Sequence, residues 1–184
     1  FDSVPDVLSQ LIRTAFIAKP GHTFLVADYA AIEARVIAYL AGEKWRMDVF
    51  AQGGDIYCSS ASQMFKVPVV KHGINGHLRQ KGKIAELACG YGGGVGALKA
   101  FGADKMGLSE DEMQTIVTQW RQASPTIPKF WRDAENAAKR ALENPGRTAV
   151  LPCGAAYYRD TDALRCRLPS GRVLSYWGAR IVDG

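Results

Sequence analysis

The apolar rhythm of this chain changes at Thr148. Upstream, apolar residues recur mostly at helical spacing. Downstream they fall into the short runs "TAVLP", "AAYYRD" and "LRCRLPSGRVLSYWGARIV", separated by turn residues, which is the pattern of antiparallel strands. "PSGR" is the clearest hairpin turn among them. One more β-rich run, residues 24–26 in "TFLVADYAAIEARVIAYLAG", predicts a strand ending at Asp28. It passes straight into a helix with Ile32, Val36, Ile37 and Leu40 on one side. Strand and helix, then a helical block, then strands, predict an α+β fold whose terminal thirds share a sheet with the helices inserted between them.

The helical block carries its own punctuation. Gly42 closes the first helix, and "GGDIYCSSASQMF" predicts a turn followed by a helix from near Asp55. "KVPVVKHGINGH" reads as a loop. "SEDE", Ser109 to Glu112, has the form of a capping box and starts a helix to about Gln122. "SPTIP" breaks it, and Pro128 suits the first turn of a further helix reaching about Leu142, with Phe130, Trp131 and Ala134 as its apolar surface. "ENPGR" ends that helix.

With 184 residues, 47% apolar and 22% charged, the chain can bury one substantial core or two small ones. No stretch approaches the roughly 18 apolar residues of a membrane span, and "FDSVPDVLSQ" lacks the pattern of a signal peptide. A cytoplasmic setting without a membrane partner is therefore expected. The net charge of +5 and pI near 9.1 suit a polyanionic partner. Cys58, Cys89, Cys153 and Cys166 form no C-x-x-C pair and read as reduced and structural, and His22, His72 and His77 lack metal-ligand spacing.

"GHLRQKGKIAELACGYGGGVGALK" concentrates positive charge at the front of one helical segment. Arg79, Lys83, Leu87 and Tyr91 recur at steps of four, each advancing about 40° around a helix, so they form one slanted stripe. Cations at a helix start are unfavourable unless an anion binds there, the alternative being a solvated basic face. The following glycines do not make a phosphate loop: Gly76 and Gly82 enclose five residues rather than four, and Lys83 precedes Ile84. "GGGVGA" follows a helix rather than the strand a dinucleotide motif requires. These glycines instead end the helix and permit a close backbone approach. Asp28, at a strand end, is either a helix cap or a ligand for a hard cation.

Two segments resemble a known family. "ADYAAIEARVIAYLAG" is similar to motif A of the family A (DNA polymerase I-like) DNA polymerases, D-Y-S-x-I-E-x-R, and "RQKGKIAELACGYG" resembles their fingers helix, R-x-x-x-K-x-x-x-(F/Y)-G-x-x-Y-G. "LIRTAFIAKPG" resembles the strand that leads into motif A. The similarity covers about half the chain. It implies a right-hand polymerase fragment, with mainly helical fingers (residues 42–150) inserted in an incomplete antiparallel palm (residues 1–41 and 151–184).

The resemblance also implies roles. Asp28 corresponds to the palm aspartate that binds both catalytic Mg²⁺ ions, with the Tyr29 carbonyl as a further ligand. Glu33 corresponds to the steric gate against a 2′-hydroxyl, packing beside Tyr91. Arg79 and Lys83 correspond to the residues that grip the incoming triphosphate, Lys83 also acting in catalysis. Leu87 and Tyr57 complete the nucleotide site. The implied partners are primer–template DNA and dNTPs, and the implied reaction is nucleotidyl transfer to a primer 3′-hydroxyl.

Some positions depart from the family pattern. Ala30 and Ala31 replace Ser and Gln, Tyr57 stands where many members have His, Leu87 replaces an aromatic, and Ala88 replaces Gly. "GDIY" resembles phage-encoded members. The H-D-E motif that supplies the second palm carboxylate does not occur in this sequence. The expectation is a fragment of a longer polymerase, inactive alone and prone to self-association through uncovered sheet edges. Were it active alone, Asp160, Asp162 and Asp183 would be the first places to look for a missed ligand. The rival readings are a non-catalytic basic nucleic-acid-binding module and a single-subunit RNA polymerase, the latter opposed by the Glu33 carboxylate.

Overall fold

The structure is a computed structural model that describes residues 3–182. The chain divides into two compact units, Phe1–Ala30 and Ala31–Gly184. In the first, α1 (Val4–Leu11) carries a proline in its first turn, where the missing N–H is no loss, and runs into a 3₁₀ turn, Ile12–Ala15. Neither the strand expected at residues 24–26 nor the one expected in "LIRTAFIAKPG" forms. Leu25 and Val26 are 95% and 93% exposed. A β-rich run becomes a strand only when a neighbour takes up its N–H and C=O groups. The sheet draws all four of its strands from the second unit, so the expected sharing of one sheet by both chain ends is not seen among the described residues.

The second unit begins with α2 (Ile32–Ala41), closed as expected by Gly42 at φ 67°. Then follow α3 (Lys44–Ala51), α4 (Ile56–Phe65), α5 (Leu78–Cys89), α6 (Val95–Ala100), α7 (Glu110–Ala123) and α8 (Thr126–Glu143). The capping box forms: Ser109 Oγ accepts from Glu112 N–H, and the Glu112 carboxylate accepts from Ser109 N–H at 2.8 Å. Pro128 occupies the first turn of α8. β1 (Thr148–Val150), β2 (Ala156–Arg159), β3 (Ala163–Arg167) and β4 (Val173–Trp177) form an antiparallel meander in chain order. The β3–β4 turn is closed at "PSGR", where Leu168 N–H reaches Arg172 O at 2.8 Å.

The main core lies among α4, α5 and α7, where Leu98, Met113, Val117, Trp120 and Ile127 are almost fully buried. Trp131 of α8 stacks on Trp120, with ring centroids 6.2 Å apart. A smaller cluster of Ala137, Leu151 and Ala155, with Phe130 and Ala134 against it, joins α8 to the sheet.

A buried polar cluster crosses the main core. Arg46 of α3, wholly buried, donates from Nη1 to Glu86 Oε2 of α5 at 2.6 Å. Its Nε and Nη2 both donate to Ser124 Oγ, at 3.0 and 2.9 Å. Trp120 Nε1 donates to the other Glu86 oxygen at 2.8 Å. The guanidinium lies over the rings of Trp45 and Trp120, with Cζ 4.7 and 4.9 Å from their centroids. Nearby, Glu43 accepts from the backbone N–H and hydroxyl of Thr126, at 3.1 and 2.6 Å. Arg46→Leu would leave Glu86 charged, buried and short of its main partner. An expected loss of about 3–5 kcal/mol is measurable by denaturant unfolding, and Arg46→Leu/Glu86→Leu should recover part of it.

Candidate functional site

α5 meets α4 at a contact that admits no side chain. A Cβ on Gly82 would lie 2.3 Å from the Tyr57 carbonyl oxygen and 3.0 Å from the Ala61 Cβ, so glycine here lets two helix backbones touch. This fixes where α5 presents its other side chains. The helix starts with no capping side chain and no acidic residue in its first turn.

The anion demanded by that cationic start comes partly from the chain itself. Asp55, the residue before α4, accepts from Tyr57 N–H and Cys58 N–H through Oδ1, at 2.9 and 3.2 Å. Its Oδ2 accepts from Arg79 Nε at 2.8 Å. Burial pushes the Asp55 carboxyl up, but the hydrogen bonds from Arg79 and the two backbone amides, with the arginine charge, outweigh it and hold the group below its ordinary value. The Arg79 guanidinium also covers the Tyr57 ring, with Cζ 5.2 Å from the centroid. Lys83, one turn further along α5, is half-buried and makes no ion pair with any described residue.

Of the expected stripe, Arg79, Lys83 and Leu87 lie on α5, whereas Tyr91 does not. The helix ends at Cys89, and Tyr91 follows in a turn with its side chain 77% exposed. The glycines dictate that ending. Gly92 adopts φ 80°, its N–H bonds Cys89 O at 2.9 Å, and a Cβ on Gly93 would lie 2.3 Å from Ala88 O. Arg121 donates to the Gly92 and Gly93 carbonyls at 3.4 and 3.3 Å.

A mainly apolar pocket of about 490 Å³ opens between α2, the end of α5 and the start of α8. Glu33, Tyr57, Leu87 and Tyr91 all line it, with Phe130 and Trp131. Four of the expected nucleotide-site residues thus share one cavity, while Arg79 and Lys83 are not among its lining. Ala31 enters α2 at φ 50°, a left-handed conformation that non-glycine residues adopt at some strain, with no side-chain cap.

Asp28 and Tyr29 belong to the first unit, and both are exposed. A carboxylate and a backbone carbonyl are oxygen donors of the kind that Mg²⁺ prefers, and two such groups fall short of the roughly six ligands it takes. Among the described residues no three His, Cys, Asp or Glu side chains gather as a metal site. Asp160 is committed to Arg165 and to Thr161, and Asp183 lies outside the described residues. No helix among the described residues is long and apolar enough to cross a membrane. All four cysteines are free, and burial pushes the Cys89 thiol up to about 12.

The model of DNA polymerase family A matches residues 3–147. The chain belongs to this family. It is 52% identical over 176 residues to the DNA polymerase of Bacillus phage SP02, which covers 96% of this chain and 27% of the relative. It is 32% identical over 120 residues to the thermostable DNA polymerase I of Thermus aquaticus, covering 65% and 14% respectively. The chain therefore spans about a quarter or less of these family A relatives' lengths. A solved structure, the POL domain of Pol1 from M. smegmatis in complex with DNA primer-template and dNTP, shares the fold at a TM-score of 0.50 and 23% identity, over 69% of this chain and 20% of that one.

Sequence reasoning missed Asp55 as a partner of Arg79, Gly82 as a contact, and Arg46 altogether. A signal for Asp55 was present: its position before a helix is a capping position, and a capping carboxylate keeps a second oxygen free. For Gly82 the expected result of substitution runs against helix propensity. Gly82→Ala should gain about 1 kcal/mol in α5 itself yet lower overall stability by about 1–3 kcal/mol, because the clash is with backbone. Thermal unfolding of the single variant would read the net sign.

Proposed function

We propose that this chain is the fingers and part of the palm of a longer DNA polymerase, which transfers nucleotides from dNTPs to a primer 3′-hydroxyl under template direction. On this reading residues 1–41 and 151–184 are palm and 42–150 are fingers. The observation that carries it is Lys83: a half-buried cation with no ion-pair partner among the described residues, one turn from Arg79 on a rigidly seated helix. A group so placed is suited to an external anion. The complex of the M. smegmatis POL domain with primer-template and dNTP supports assigning that anion to a nucleotide.

The chain's own residues would divide the work. Arg79 and Lys83 offset charge on the triphosphate, the Tyr57 hydroxyl donates to a phosphate oxygen without adding charge, and Leu87 and Tyr91 form a wall for base and sugar. Glu33, on the rim of the same pocket, excludes a 2′-hydroxyl by occupying its place. Asp28 and the Tyr29 carbonyl would hold Mg²⁺, whose chemistry here is to neutralise the phosphates and stabilise the attacking and leaving oxygens. Further ligands would come from water, the phosphates and a second palm carboxylate of the parent protein. We also assign the parent to the cytoplasm of a bacterial or phage-infected cell, and the exposed edge strand β4 to self-association of the chain when isolated.

Lys83→Ala in the parent polymerase should remove a charge-assisted phosphate contact of about 1.5–3 kcal/mol, lowering kcat/KM for dNTP roughly ten- to a hundredfold and leaving primer–template affinity unchanged. Steady-state kinetics at varied dNTP checks this, and unchanged efficiency would remove Lys83 from the site. Glu33→Ala should lower the ratio of deoxy- to ribonucleotide incorporation, because it deletes a clash and spares the phosphate contacts. A primer-extension competition between dNTP and rNTP measures that ratio.

A further inference from the structure

Asp55 does two jobs with two oxygens. Capping α4 occupies Oδ1, which takes the Tyr57 and Cys58 amides at 2.9 and 3.2 Å. Nothing about capping requires Oδ2 to meet Arg79 Nε, yet it does so at 2.8 Å, with both side chains partly buried. The same carboxylate therefore fixes the first turn of α4, which carries Tyr57, and the edge of the guanidinium that lies over the Tyr57 ring. Gly82 locks the two helices together, backbone against backbone. An arginine free in solution would lose rotamer freedom when it gripped a phosphate; one held at its Nε edge has already lost part of it.

We propose that Asp55 is a positioning residue for the incoming nucleotide, presetting Arg79 and Tyr57 as a joint phosphate-binding pair. The proposal rests on the phosphate-site reading above. Two physical effects of removing the carboxylate oppose each other. Arg79 would gain effective charge toward an anion, and it would lose its fixed orientation. Orientation is the larger effect if Asp55 positions, so nucleotide binding weakens. If Asp55 is only a cap with an incidental ion pair, binding stays the same or tightens.

Asp55→Asn separates the roles, because asparagine caps a helix as well as aspartate does but cannot form the ion pair. The measurement is steady-state kinetics of the parent polymerase at saturating primer–template with dNTP varied, for wild type, Asp55→Asn, Arg79→Ala and the double variant, with thermal unfolding of each. Asp55→Asn is expected to keep its melting temperature close to wild type and to raise the KM for dNTP about three- to tenfold, within the range for coupled contacting groups, with kcat little changed. In the Arg79→Ala background it should have no further effect. An unchanged or lower KM in Asp55→Asn, or the same rise with Arg79 absent, overturns the positioning role while leaving the phosphate site standing. An Arg79→Ala enzyme with unchanged KM overturns the phosphate-site reading itself, and the positioning role with it.

Discussion

The Arg46–Glu86 ion pair fixes the second unit from inside. A wholly buried guanidinium is tolerated only when its charge and its donors are met, and here Glu86, Ser124 and two flanking indole rings do so. These partners come from α3, α5 and the end of α7, so three stretches distant in sequence are tied to one point. Glu86 lies on the same helix as Lys83 and Leu87. Glu86 itself lines the pocket beside Leu87, so a rotation of α5 that shifted Leu87 or Lys83 would break the buried ion pair.

A second constraint acts one turn earlier on the same side of α5, where Gly82 brings it against the α4 backbone. Two unlike devices thus hold one helix: a polar cluster that fixes rotation and a missing side chain that fixes distance. Between them the basic start of the helix is kept beside Asp55, which relieves part of its charge. Lys83 is left without such relief among the described residues. The contrast between a matched arginine and an unmatched lysine, one turn apart, is the electrostatic signature on which the phosphate reading depends.

Features written in local chemistry were legible in the sequence. Ser109 and Glu112 announce a cap, Gly42 a helix end, "PSGR" a hairpin, and all three form where the residues place them. The residues that resembled a nucleotide site also largely converge, four of them on one pocket. Features that depend on a distant partner were not legible. Residues 24–26 have strand composition, but composition supplies no neighbour for the ladder. α3 shows no apolar stripe because its most buried side chain is an arginine, and an arginine is read as surface until Glu86 and Ser124 are seen around it. Tyr91 fell off the predicted stripe because a helix cannot be extended through Gly90 and Gly92 by spacing alone.

The contact at Gly82 separates what can drift in this region from what cannot. The segment between α4 and α5, residues 66–77, is mostly turns on the surface, and lengthening such a loop adds little closure entropy, about 0.6 kcal/mol for a doubling. A longer loop is expected to cost little at its exposed turns, with Val69 keeping its place against Cys58 and Ala61, while the separation of Asp55 from Arg79 in space is held by backbone touching backbone. Homologous chains can differ in the number of residues between these two positions and still bring them to the same distance, so an alignment should pin its columns at the glycine and let its gaps fall in the loop.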